Sequence, residues 1–106
     1  MPTGRLGTAD LVAATLTSVY TVPAGFFTVA TVSVTNRTNN PISVRLAIST
    51  TGTPSNAEYI EWDTEIAGRG VLERTGLVMD AGKQIVVRSS AASVSVMAFG
   101  IETSTT

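Results

Sequence analysis

The 106-residue chain has no cysteine and no histidine. Without cysteine there is neither a disulfide framework nor a thiolate site. Without histidine the usual general base and the commonest metal ligand are both missing. Charge is also scarce: 14% of residues are charged, against roughly 25% in ordinary soluble domains. The net charge of −1 gives no electrostatic reason to expect nucleic acid or an anionic membrane as partner. No stretch approaches the roughly 20 apolar residues that span a bilayer. The start, Met1-Pro2-Thr3-Gly4-Arg5, lacks an apolar run followed by a cleavage site, so a soluble chain outside the general export pathway is expected.

Threonine, serine, valine and alanine stand where lysine and glutamate would normally be. Two readings follow. One is a small neutral domain of the secreted type; the other is a subunit whose surface is largely covered by neighbours. The second is favoured, because β-domains use charge to guard their edges and keep apart. The length fits one domain that buries roughly two-thirds of the surface its unfolded form exposes.

The strongest pattern lies in residues 26–49. Phe26, Ala30, Val32 and Val34 share one parity, with Thr31, Ser33 and Thr35 on the other. After the polar turn of residues 36–41, Ile42, Val44, Leu46 and Ile48 alternate with Ser43, Arg45, Ala47 and Ser49. Such alternation marks strands with one face on a core, and a central hairpin is expected here. Its outward face of threonine, serine and alanine carries a single arginine, Arg45, and reads as a candidate contact surface.

Around it the chain is punctuated by turn signals at Pro23-Ala24-Gly25, residues 50–56, Gly68-Arg69-Gly70, Ala81-Gly82-Lys83 and Ser90-Ala91-Ala92. Gly76 breaks its strand's alternation, as a bulge or bend would. Tyr20 and Val22 share a parity and should face the core. The last strand is apolar on both sides, with Val94, Val96 and Ala98 on one and Met97, Phe99 and Ile101 on the other. Its second cover is expected from a loop, the N-terminal arm or another subunit, the last two foremost. The spacing predicts an all-β fold: a single-domain antiparallel β-sandwich of jelly-roll type with seven to nine short strands. Residues 1–14 are expected as an N-terminal arm, 15–102 as the sandwich and 103–106 as a C-terminal tail.

Candidate chemistry is thin. Glu61, Asp63 and Glu65 alternate along one strand, so their side chains would stand roughly 6.5–7 Å apart on one face. Paired carboxylates suit glycoside hydrolysis and three could hold calcium, but charges on the outer face of a strand are first of all solvated, and Arg45 can pair with them across the sheet. Glu73 and Arg74 are neighbours on a strand and point to opposite faces, so one of them reaches the core side or a partner; an intersubunit ion pair is favoured. Trp62 shares its parity with Ile60 and Ile66 and reads as core. Tyr59 is the freer aromatic, and exposed aromatics can stack on sugars. Asn36-Arg37-Thr38 fits the glycosylation sequon but reads as a hairpin tip. No nucleophile elbow, phosphate loop or metal-ligand motif is present in the sequence. A non-enzyme without cofactor is expected.

Several segments occur in a telling order: Gly4-Arg5-Leu6-Gly7, Val19-Tyr20-Thr21-Val22-Pro23-Ala24-Gly25, Val34-Thr35-Asn36-Arg37, Val44-Arg45-Leu46-Ala47-Ile48-Ser49, Glu58-Tyr59-Ile60-Glu61-Trp62-Asp63, Leu72-Glu73-Arg74-Thr75-Gly76 and Gly100-Ile101-Glu102. Together they resemble a family of small all-β virion structural proteins of tailed bacteriophages, over nearly the whole chain. The resemblance implies a capsid decoration, or cement, protein that forms a homo-oligomer, a trimer above all, on the lattice of the major capsid protein in the virion. It implies no nucleic-acid or membrane partner. A tail or tail-fibre component and a non-catalytic carbohydrate-binding module are the alternatives. The contacts are expected from residues 2–14, with Arg5, Leu6, Leu11 and Val12, and from Arg45, Glu73, Arg74, Met97, Phe99 and Ile101.

Overall fold

Eight runs of alternating apolar and polar residues pair into two four-stranded antiparallel sheets in the computed structural model, which describes residues 4–105. The strands are β1 (Gly4–Leu11), β2 (Thr17–Thr21), β3 (Phe26–Asn36), β4 (Ile42–Ser49), β5 (Tyr59–Ile66), β6 (Val71–Met79), β7 (Gln84–Ser89) and β8 (Val94–Ser104). Among the described residues the one helical element is a single 3-10 turn, Asn56–Glu58. One sheet has the order β1-β8-β3-β6 and the other β2-β7-β4-β5.

The pairing is nested. β1 pairs with β8, β2 with β7, β3 with β6 and β4 with β5. This is one long hairpin, closed at β4–β5 and rolled so that β3 also meets β8 and β4 also meets β7. Rolling a hairpin this way produces the jelly roll, so the expected all-β sandwich is the observed fold. Between the layers lies one core that includes Val32, Val34, Val44, Leu46, Ile85 and Val87. Tyr20 and Val22 are buried in it as their parity required.

The expected central hairpin of residues 26–49 does not form. β3 and β4 lie in different sheets and face each other across the core. The alternation is identical in either arrangement, because both place the same side chains inward. What separates them is the corner. Asn36 ends β3 fully buried. Its Nδ2 donates to the carbonyls of Asn40, Ile66 and Ala67 at 2.8, 3.2 and 3.1 Å, and its Oδ1 accepts from the backbone and the hydroxyl of Thr38 at 2.9 and 2.7 Å. This side chain ties the crossing to the end of β5. It is part of the fold, not an exposed hairpin tip.

The segment expected as an arm is also different. Residues 4–11 are edge strand β1, in register with β8 from Gly4↔Gly100 to Leu11↔Val94, and Leu11 is buried core. Residues 1–3 and 106 of the expected arm and tail lie outside the described residues. At the other end β8 continues to Ser104, so the first two residues of the expected tail are strand.

Each edge strand is bulged. β1, β2 and β6 each break register with their neighbour once, and β5 twice. The central pairings β3–β8 and β4–β7 run without a break. In β6 the extra residue falls at Thr75-Gly76, where Gly76 has φ +70, the bulge that glycine announced.

Candidate functional site

The two outer faces of the sandwich differ in kind. On the sheet β1-β8-β3-β6, Val78, Val29 and Ile101 stand side by side on β6, β3 and β8. They are 70, 41 and 58% exposed. Phe27 continues this row along β3, and Phe99 and Met97 continue it along β8. Beyond them lies a shallow trough of about 650 Å³, whose walls include Thr8, Ser33, Thr35, Met97 and Phe99. Alternation makes this apolar row. Alanine, valine and threonine fill the inner parity of β3 while Phe27 and Val29 take the outer one, and β8 is apolar on both. Among the described residues nothing covers the row, because β1, which the sequence offered as cover, lies in the plane of the sheet.

This face gathers Arg5, Glu73, Met97, Phe99 and Ile101 of the expected contact residues: Arg5 is the register partner of Phe99, and Glu73 lines the trough. The others are dispersed. Leu11 is core, Leu6 packs against the core, and Val12 is exposed just past the end of β1. Arg45 is on the opposite outer face. Arg74 stands beside buried Val32 in register and pairs at 2.5 Å with Glu61 of β5. That ion pair closes the mouth between edge strands β5 and β6, so Arg74 has an intrachain partner.

The opposite sheet carries an aromatic site that the sequence pattern misplaced. On β5, Thr64 pairs with Val44 and Glu61 with Leu46, so both Trp62 and Asp63 stand opposite Arg45. A second extra residue, Ile60, lies between Glu61 and Tyr59, and Tyr59 is in register with Ala47. The two bulges overturn the simple parity of this strand. Trp62, expected in the core, is turned outward and is 53% exposed. The acidic row is split: Glu61 turns toward Arg74, Asp63 faces Arg45, and Glu65 is exposed. Among the described residues no group of three or more acidic or other metal-ligating side chains could hold a metal ion. The outward turn is made at Asp63, with φ 50. A left-handed backbone costs a residue with a side chain about 1–2 kcal/mol, aspartate among the least.

Arg45 meets both residues opposite it. Its Nε and Nη2 donate to the two carboxylate oxygens of Asp63 at 2.6 and 3.2 Å, the two-pronged geometry that suits arginine and carboxylate. Its guanidinium carbon lies 3.7 Å from the centre of a Trp62 ring, within cation–π range. The guanidinium hydrogen bond holds Asp63 below the usual carboxylate range, and the nearby Arg88 adds to this. Tyr59 meets Trp62 at 85° with ring centres 4.9 Å apart, an edge-to-face pair. The two rings and Asn56 line a notch of about 290 Å³. Asn56 is placed by its neighbour Glu58, whose carboxylate accepts from the Ser55 and Thr50 amides and from the Ser49 hydroxyl at 2.9, 3.3 and 3.0 Å. These bonds, the Ser55 amide first, lower the Glu58 pKa.

One polar cluster lies inside. Glu102 is 3% exposed and accepts a short hydrogen bond from the Tyr20 hydroxyl. With that single proton given away, the Tyr20 oxygen accepts from Thr28 at 2.8 Å. The trio links β2 of one sheet to β3 and β8 of the other. Burial first, then the bond to Glu102, pushes the Tyr20 pKa up to about 12.

Comparison with protein-family models, curated proteins and solved structures finds no match to this chain.

Proposed function

We propose that the chain is a capsid decoration protein of a tailed bacteriophage, a non-catalytic subunit that oligomerises, as a trimer above all, and seats on the major capsid protein through the outer face of β1-β8-β3-β6. The uncovered apolar row of Val78, Val29 and Ile101 carries this reading. Monomers seldom leave contiguous apolar surface in water unless it meets a partner. The resemblance of the sequence to small virion proteins supports it, and viral capsid domains are among the users of the jelly roll, an argument by analogy of fold. The mechanism is geometric. Burying apolar area contributes roughly 25 cal/mol per Å², and a standard interface covers about 800 Å² on each partner, so each seated subunit fastens neighbouring capsid proteins together.

Ile101→Lys tests the reading. The side chain is already largely in solvent, so the fold should stand while the charge opposes burial against a partner. Electron cryomicroscopy of heads should show lost occupancy, and light scattering should show the free protein shifted toward monomer. Thr53→Lys, on the exposed loop after β4, should leave both unchanged. Full decoration by the Ile101→Lys protein, or density for the chain in the tail alone, would sink the proposal.

A further inference from the structure

We propose that the notch between Tyr59 and Trp62 binds a pyranose ring of a glycan. It lies on the sheet opposite the apolar row, and the inference stands whether or not that row meets a capsid.

Three observations meet here. First, a large aromatic side chain is held out in solvent. Trp62 is 53% exposed because the bulge opposite Arg45, with the left-handed Asp63, turns it outward. Second, the ring is fixed before any ligand arrives. Arg45 lies over it, Asp63 holds Arg45 from both oxygens, and Tyr59 stands at right angles to it. Rings that are already ordered lose little entropy on binding. Third, the rim is polar and unsatisfied. Among the described residues neither the Asn56 amide nor the Tyr59 hydroxyl makes a hydrogen bond.

A pyranose presents C–H groups on its faces and hydroxyls around its edge. An aromatic wall suits the first, and a free amide and phenol suit the second. The notch's own lining of Asn56, Tyr59 and Trp62 carries no charge. Arg45 beside it is matched by Asp63, and Arg88, in register with Arg45, sits on β7, one strand further from β5. The lining of the notch itself therefore favours a neutral ring over a phosphate or carboxylate. At about 290 Å³ it is at the small end of ligand sites. That is room for one ring, whereas a proline-rich peptide needs a groove of successive aromatics.

Trp62 is the only tryptophan, so its fluorescence reports on this site alone. The full chain is titrated with neutral oligosaccharides of glucose, galactose, mannose and N-acetylglucosamine, up to roughly 10 mM, past the weak end of specific binding. A saturable shift in emission is expected with at least one of them. Asn56→Ala and Tyr59→Ala should each weaken it at least about tenfold, and Val78→Ala on the other face should leave it unchanged. Asn56 is exposed, so its variant keeps the test decisive should Tyr59→Ala fail to fold. Three outcomes overturn the proposal: no saturable shift with any sugar, a shift that the Asn56 and Tyr59 variants leave intact, or a shift given by a proline-rich peptide and by no sugar. None of them bears on head occupancy, which the Ile101→Lys particles read separately.

Discussion

At the scale of single residues, the polar side chains that matter most for this fold are the buried ones. Glu102 lies between the sheets with Tyr20 and Thr28. One of its carboxylate oxygens, Oε1, has no hydrogen-bond partner among the described residues, so the Tyr20 proton is the bond it depends on. Tyr20→Phe should therefore lower stability by about 1–3 kcal/mol, measured by urea denaturation. It should also change the alkaline limb. In the unfolded chain the phenol ionises near its ordinary 10.0, while in the folded one it holds its proton to about 12. Between those values the unfolded state has lost a proton that the folded state keeps. Stability is thus full below pH 10 and falls as pH rises toward 12; in the phenylalanine variant that fall should be shallower. Asn36 teaches the same lesson from the surface side. Its sequon reads as a turn tip, but a buried amide with acceptors both in its own corner and at the end of β5 is a structural fastener.

At the scale of elements, the edges explain how so uncharged a chain protects itself. Scarce charge favoured a surface covered by neighbours, on the ground that β-edges need charged guards. The edges here are guarded by geometry. Each of β1, β2, β5 and β6 carries at least one bulge, and bulges twist an edge away from flat pairing with another chain. Low charge by itself therefore argues less for an assembly, and the apolar row must carry that argument. Gly76 tests the device. A Cβ there meets nothing within 4 Å, so the cost of a side chain comes from the backbone alone. With φ +70, Gly76→Val should cost about 1–2 kcal/mol in urea midpoints, and Gly76→Asn less, because asparagine tolerates the left-handed region. Equal stability of all three would show that β6 pairs without its bulge. On β5 no glycine warned of the irregularity, and the parity of Trp62 and Glu61 came out reversed.

At the scale of the whole molecule, the rolled topology decides which surfaces exist. With β3 and β4 in different layers, their polar outer parities look in opposite directions, and the single contact surface expected from residues 26–49 becomes two separate ones. The same topology changes what truncation does. Removing residues 2–14 from a tethered arm would leave the domain folded. Removing them here strips β1 from β8 and takes Leu11, 2% exposed, out of the core. The truncated chain should lose its cooperative unfolding transition in circular dichroism and aggregate by light scattering. A monomeric, cooperatively folding product would show that β8 makes a stable edge unaided.

The alternation of residues along the chain was enough to fix an all-β sandwich, most strand positions, the inward parity of β3, β4 and β8 and the bulge at Gly76, because strand periodicity is a local property that side-chain burial imposes directly. Layer membership was decided only in three dimensions: facing strands and paired strands put the same side chains inward, so no pattern within β3 or β4 distinguishes them. The Trp62 notch was likewise settled there, since a bulge without glycine leaves no local mark and flips every side chain beyond it. It is the register against Arg45 that brings Trp62 and Asp63 to one place.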